Sequence, residues 1–168
     1  MSQALTFLSL PDNEAGISVT ASASSWAYGN WVCLTPKVSR DIYVMRLQFQ
    51  ETKVTTADTT YEVLFDIGIG YQGNEVVKAQ VPYSFRSDTA VSYYLNPQGF
   101  YFPEPFFIPK GSRISIRAAN SAASADVYNG IKLFCQTDGK LVNPSSNSVF
   151  NNYMFVHGTS GNFTDSIR

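Results

Sequence analysis

The sequence is short of most of the side chains that do chemistry. It holds one histidine, His157, and two cysteines, Cys33 and Cys135. A single imidazole excludes a zinc site built on several histidines. It also leaves a Ser-His or Cys-His pair with one candidate base, set in a polar tail with nothing to fix it. No Asp-x-Asp-x-Asp run offers a calcium loop, and nothing implies a cofactor. Charge is scarce as well. Lys and Arg number 12 and Asp and Glu 13, together 15% of residues, against about 25% in an average soluble protein. The net charge is −1 and no run of Lys or Arg occurs. There is thus no basic field for nucleic acid and none for an anionic membrane surface.

The amino end, Met1-Ser-Gln-Ala-Leu-Thr, has neither a positive region nor a long apolar run. No signal peptide or membrane span is expected, and synthesis in a cytoplasm is. There Cys33 and Cys135, each in an apolar strand-like run, are expected as buried free thiols.

What the chain does have is aromatic rings, 12 Phe, 10 Tyr and 2 Trp. One core can hold many of these, but some are expected at the surface as contact residues. It also has period-two patterning. In Phe106–Ala119, Pro109 stops one strand and Lys110-Gly111 makes a turn. Ile114, Ile116 and Ala118 then alternate with Arg113, Ser115 and Arg117, one face buried and one wet. Further strands are read at Ile17–Ala23, Trp31–Leu34, Asp41–Gln50, Tyr61–Gly70, Glu75–Val81 and Val127–Gln136. In Asp41–Gln50 one face is assigned Tyr43, Met45, Leu47 and Phe49. Residues 61–81 read as a hairpin turning at Tyr71-Gln-Gly-Asn. Pro82–Pro105, broken by Pro97 and Pro103, reads as a long aromatic loop.

About eight short strands with turn signals between them predict an all-β protein: one β-sandwich, jelly-roll-like, with extended terminal arms. An up-and-down barrel is the alternative. The divisions are an amino-terminal arm over 1–14, the sandwich over 15–136 and a carboxy-terminal arm over 137–168.

Asp66 and Glu75 are the one pair of carboxylates placed to face each other, across the 61–81 hairpin. Such a pair can hydrolyse glycosides. The plainer account, favoured here, has Asp66 accepting hydrogen bonds at a glycine bulge and Glu75 in solvent. Gly68, Gly70 and Gly73 match the spacing of a phosphate-binding loop. No helix follows them, so they read as bulge and turn residues. Trp26 and Tyr28 are candidate glycan contacts through ring stacking. Leu5, Phe7, Tyr83, Phe85, Tyr93, Tyr94, Phe150, Tyr153 and Phe155 are candidate subunit contacts.

Two segments carry a family resemblance. Phe65–Val77, Phe-Asp-Ile-Gly-Ile-Gly-Tyr-Gln-Gly-Asn-Glu-Val-Val, resembles an Asp-Ile-Gly-Ile-Gly-x-x-Gly-x-Glu hairpin of tailed-bacteriophage virion proteins. Phe107–Ile116 resembles the Ile-Pro-x-Gly-Ser-Arg-Ile strand that follows it there, and Ile131–Phe134 the closing strand. The likeness spans about residues 26–136. It implies a non-enzymatic virion protein, one that decorates or cements a capsid. The alternative is a collar, tail or fibre component with a glycan- or receptor-binding sandwich. The partners implied are other copies of the chain, as a homotrimer, and the major capsid protein or other virion proteins. The place implied is the virion, after synthesis in a bacterial cytoplasm.

Overall fold

The structure, a computed structural model, describes residues 6–13, 15–53, 59–87 and 93–137. Every regular element among them is a strand: β1 (Thr6–Leu10), β2 (Ile17–Thr20), β3 (Val32–Thr35), β4 (Ile42–Lys53), β5 (Thr59–Ile69), β6 (Val76–Ser87), β7 (Tyr93–Ile108), β8 (Ile114–Asn120) and β9 (Val127–Thr137). They form two antiparallel sheets. One has the order β1-β9-β4-β7, with β2 also paired to β9, and the other β3-β8-β5-β6. The chain crosses repeatedly from one sheet to the other, which is jelly-roll connectivity and not a meander closed into a barrel.

The two inner faces make one core. Val19, Ile42, Val44, Leu47 and Leu133 of the first sheet meet Tyr61, Phe65, Ile67, Ile114 and Ile116 of the second, all fully or almost fully buried. Each such side chain stabilises the fold by about 1.5–3 kcal/mol on leaving water. The Phe65 ring meets Phe49 and Tyr128 at centroid distances of 5.6 and 5.2 Å, so aromatic packing ties the sheets together.

Local signals hold at the turns. Asn74 N–H donates to the Tyr71 carbonyl, with Gly73 at φ 83°, and Ser112 N–H donates to Pro109, with Gly111 at φ 88°. Both glycines take the left-handed conformation that the third residue of such a turn requires.

Three expectations change. The loop read over Pro82–Pro105 is the end of β6 and most of β7. Both are edge strands, where proline's missing donor costs nothing. Moreover, Pro97 falls in the register shift between Gln98 and Tyr94, and Pro103 and Pro105 in the one between Phe106 and Tyr101. A break in the ladder is where a proline fits.

In β4 the inward face is Ile42 and Val44, then Leu47 and Phe49. The register against both β7 and β9 shifts between Val44 and Arg46. Met45 is thus the extra residue of a bulge, and the inside-outside alternation reverses across it.

The third change concerns β8, whose second face is not wet. Ser115 is fully buried, its Oγ accepting from Arg113, and Arg117 is only partly exposed, because Tyr28 and Trp31 of the chain between β2 and β3 lie over its guanidinium.

Candidate functional site

Nearly everything singled out in the sequence for chemistry gathers on the outer face of the four-stranded sheet. Asp66 of β5 stands opposite Arg117 of β8 and Gln80 of β6. All three point away from the core, because Phe65 and Ile67 point into it. The segment 26–31 runs along the edge of β8. Trp26 N–H donates to the Asn120 carbonyl at 2.7 Å and Gly29 N–H to Ala118 at 2.9 Å. From there Tyr28 and Trp31 fold back over the sheet.

The resulting cluster is closed. Arg117 Nε and Nη2 both donate to Asp66 Oδ2, at 2.9 and 2.8 Å. Tyr28 Oη and Gln80 Nε2 each donate to Asp66 Oδ1 at 2.9 Å. The guanidinium lies over the Tyr28 ring at 4.0 Å and the Trp31 ring at 4.4 Å, a cation held between two π faces. The Asp66 side chain has no exposed surface. Burial, together with the hydrogen bond to and the charge of Asp66, pushes the Tyr28 hydroxyl up to about 12.

A second ion pair lies alongside. Arg113 Nη1 donates to Glu75 Oε1 at 2.7 Å and to Ser115 Oγ at 2.6 Å. Glu75 Oε2 accepts the Gly73 N–H of the hairpin turn. Glu75 is therefore covered and paired, not in solvent as expected. Desolvation raises its carboxyl, but the Arg113 and Gly73 hydrogen bonds outweigh that and hold it below the usual range.

Gly68 explains itself in the same place. A Cβ there would stand 2.7 Å from the Trp31 ring, so the glycine is the seat of that indole. The spacing that imitates a phosphate loop is one ring seat and two turn residues. Asp66 accepts from Arg117, Tyr28 and Gln80 side chains, where sequence reasoning expected backbone donors. Arg117 and Gln80 were missed. The signal for Arg117 was the Arg113-Ser115-Arg117 alternation, read as a solvent face.

Beside the cluster lies an open cleft of about 500 Å³, lined by Trp26, Glu62, Val63, Leu64, Pro82, Tyr83 and Ser84. Trp26 is half exposed and sits at φ 58°, the one non-glycine residue with positive φ among the described residues. A bulky residue there costs energy and is held by its surroundings. Here the hold is the Asn120 bond to its N–H and the bond from Ser25 Oγ to the Ser121 carbonyl.

The candidate glycan contacts are thus separated. Trp26 faces the cleft, while Tyr28 has ring and hydroxyl engaged by Arg117 and Asp66. Of the candidate contact residues, Phe7 is 51% exposed on β1. Tyr83 of β6 is partly buried, edge-on to Phe49 at 5.0 Å. Phe85 lies in β6, with its backbone opposite Tyr61. Tyr93 and Tyr94 open β7 opposite Thr52 and Glu51. Leu5, Phe150, Tyr153, Phe155 and His157 lie outside the described residues. Among the described residues no three His, Cys, Asp or Glu side chains converge as on a metal ion.

No protein family and no curated protein matches the chain. Among solved structures it is similar to the Eiger TNF of S. frugiperda, at 11% identity over 87% of this chain and 100% of that one, with a TM-score of 0.40. It is also similar to a chain of the T13 IBDV viral particle, at 11% identity over 82% of this chain, TM-score 0.40. The VP2 subviral particle of infectious bursal disease virus gives 12% identity over 81%, TM-score 0.32. This chain spans about a third of each of those viral chains, 32% and 33%. Likenesses this distant carry no argument about what the chain does.

Proposed function

We propose that this chain is a non-enzymatic structural protein of a tailed-phage particle. It decorates or cements the capsid, self-associates as a homotrimer and contacts the major capsid protein. The reading begins from the resemblance at Phe65–Val77 and Phe107–Ile116. One observation supports it above the others. The residues carrying that resemblance, Asp66, Gly68, Gly73, Glu75 and Arg113, are occupied in holding the outer face of a sheet together. A carboxylate saturated by arginine, tyrosine and glutamine donors has no lone pair left for a substrate proton. The low charge and many rings of the sequence suit a surface that meets neighbours.

The test is the copy number of this chain in purified particles, by quantitative mass spectrometry against the major capsid protein. A number comparable to that protein is expected. A number an order of magnitude lower assigns it to the collar, tail or fibres. Absence from particles overturns the reading.

Trp26 supports a second reading, a collar, tail or fibre component that binds glycan. A half-exposed indole held at positive φ over a cleft with Glu62 and Ser84 offers a stacking face beside hydroxyl partners. Trp26→Ala is expected to abolish binding to host envelope glycans with the fold intact. Retained binding removes this reading.

A further inference from the structure

The open cleft beside the cluster offers more than a stacking face. Trp26 is the third residue of a turn closed by Ala27 N–H, which donates to the Ser24 carbonyl at 3.1 Å. Its φ of 58° belongs to the turn position that glycine or asparagine fills without strain. A tryptophan in that place is held out, half exposed, at a cost in backbone energy. The end of β8 fixes both sides of the cleft. The Asn120 carbonyl accepts the Trp26 N–H at 2.7 Å. Ser121 N–H donates to the Glu62 carbonyl at 2.8 Å, and Ser121 Oγ accepts the Glu62 N–H at 3.0 Å.

The floor is two rows of the β5–β6 ladder, Glu62 opposite Ser84 and Leu64 opposite Pro82. Glu62 and Leu64 point outward because Tyr61, Val63 and Phe65 between and beside them are buried in the core. Glu62, Ser84 and Pro82 are exposed and Leu64 is half-buried. One row is thus polar and the next apolar, about 6.6 Å apart along the strands. Glu62 bears the only charge among the residues that line the cleft. Arg117 of the same outer face is engaged by Asp66.

We propose that the cleft takes an uncharged, N-acetylated hexosamine unit of a glycan. The inference rests on the second reading above, that Trp26 binds glycan, and names the sugar. The C–H face of the pyranose ring stacks on the indole, whose π face is negative. The acetamide N–H and the ring hydroxyls meet Glu62 and Ser84, since a carboxylate only accepts and a hydroxyl both donates and accepts. The acetyl methyl covers Leu64 and Pro82. Other sugars use the site less fully. A plain hexose or a free amino sugar leaves the apolar row bare. An acidic sugar sets a second negative charge beside Glu62, and like charge rejects a ligand. The volume of about 500 Å³ is that of a small-ligand site.

The test is a titration of the full chain with tetrasaccharides, followed by tryptophan emission. The sugars are of glucose and of galactose configuration, each as plain sugar, amino sugar, N-acetylated amino sugar and uronic acid. The N-acetylated form of one configuration is expected to bind about tenfold more tightly than its three counterparts, as for a methyl group in an apolar pocket. Trp26→Gly removes the ring and the strain together, and is expected to abolish this binding with circular dichroism unchanged. Leu64→Ser is expected to erase the preference for the N-acetylated over the plain form, and Glu62→Gln the rejection of the acid. Saturation-transfer NMR on the wild type decides independently of any variant that fails to fold. Strong transfer to the acetyl methyl supports the inference, and none overturns it. Tetramers that bind through Trp26 without regard to the acetyl group, or an acid bound most tightly, overturn the inference and leave the glycan reading standing. If no N-acetylated tetramer binds, the inference falls, and host envelope glycan titrated in parallel shows whether the glycan reading falls with it.

Discussion

Arg117 and Asp66 face each other across the β5–β8 ladder, and the arginine places two donors on a single oxygen, Asp66 Oδ2. The other oxygen is thereby left to Tyr28 and Gln80. One carboxylate joins β5, β6, β8 and the segment between β2 and β3. Removing the arginine leaves a fully buried, incompletely compensated charge. Arg117→Met is expected to cost about 3–5 kcal/mol of unfolding free energy. Asp66→Asn/Arg117→Met should cost clearly less than the sum of the single changes, because the stranded charge is gone. Urea denaturation of the four proteins in this cycle checks both statements.

Gly68 is tested through the ring it carries. Gly68→Ala places a methyl 2.7 Å from the Trp31 indole. The expected loss is about 1–3 kcal/mol, as for overpacking elsewhere, with a shift in Trp31 emission. A Trp26→Phe background leaves Trp31 as the only indole to observe. Unchanged emission would mean that the ring does not rest on Gly68.

Stability should fall at high pH. Burial pushes the Cys135 thiol up from 9.0 to about 12, and Tyr83 from 10.0 to about 12. Tyr28 rises to the same value by burial and the Asp66 carboxylate, and Tyr128 is raised by burial as well. Each group stays neutral in the fold at a pH where the unfolded chain already ionises it. Their contribution is complete below about pH 9 and is lost between there and about 12. Glu75 works in the opposite direction: its lowered carboxyl adds stability at neutral pH that is lost as acid protonates it. Thermal melts across the pH range are expected to show a plateau with both flanks falling, and a flat profile from pH 9 to 12 would contradict the burial of these groups.

The two thiols should behave differently. Cys33 of β3 is half-buried and Cys135 of β9 fully buried, on separate sheets. A disulfide-exchange reagent is expected to label Cys33 in the native protein, and Cys135 only when the chain opens. Equal rates without denaturant would show that β9 is not shielded.

Where the pattern was local, the sequence was enough. The alternation in 114–118 and 131–135, the turns at Gly73 and Gly111 and the absence of any helical period led to a two-sheet β-sandwich, and that is the fold. Strand positions follow from side-chain period and from the backbone freedom of glycine, which act over a few residues. Tertiary structure decided the rest. The bulge at Met45 reversed which side of β4 faces the core, and an edge position let β7 keep three prolines. Arg117 became the partner of Asp66 because β8 lies beside β5, fifty-one positions apart in the chain. Phe7, Tyr43 and Phe107 form one row because three strands distant in sequence pair in register with or beside β9. Pairing partners and register depend on loop closure and on the summed packing of two faces, and no short stretch of sequence carries that information.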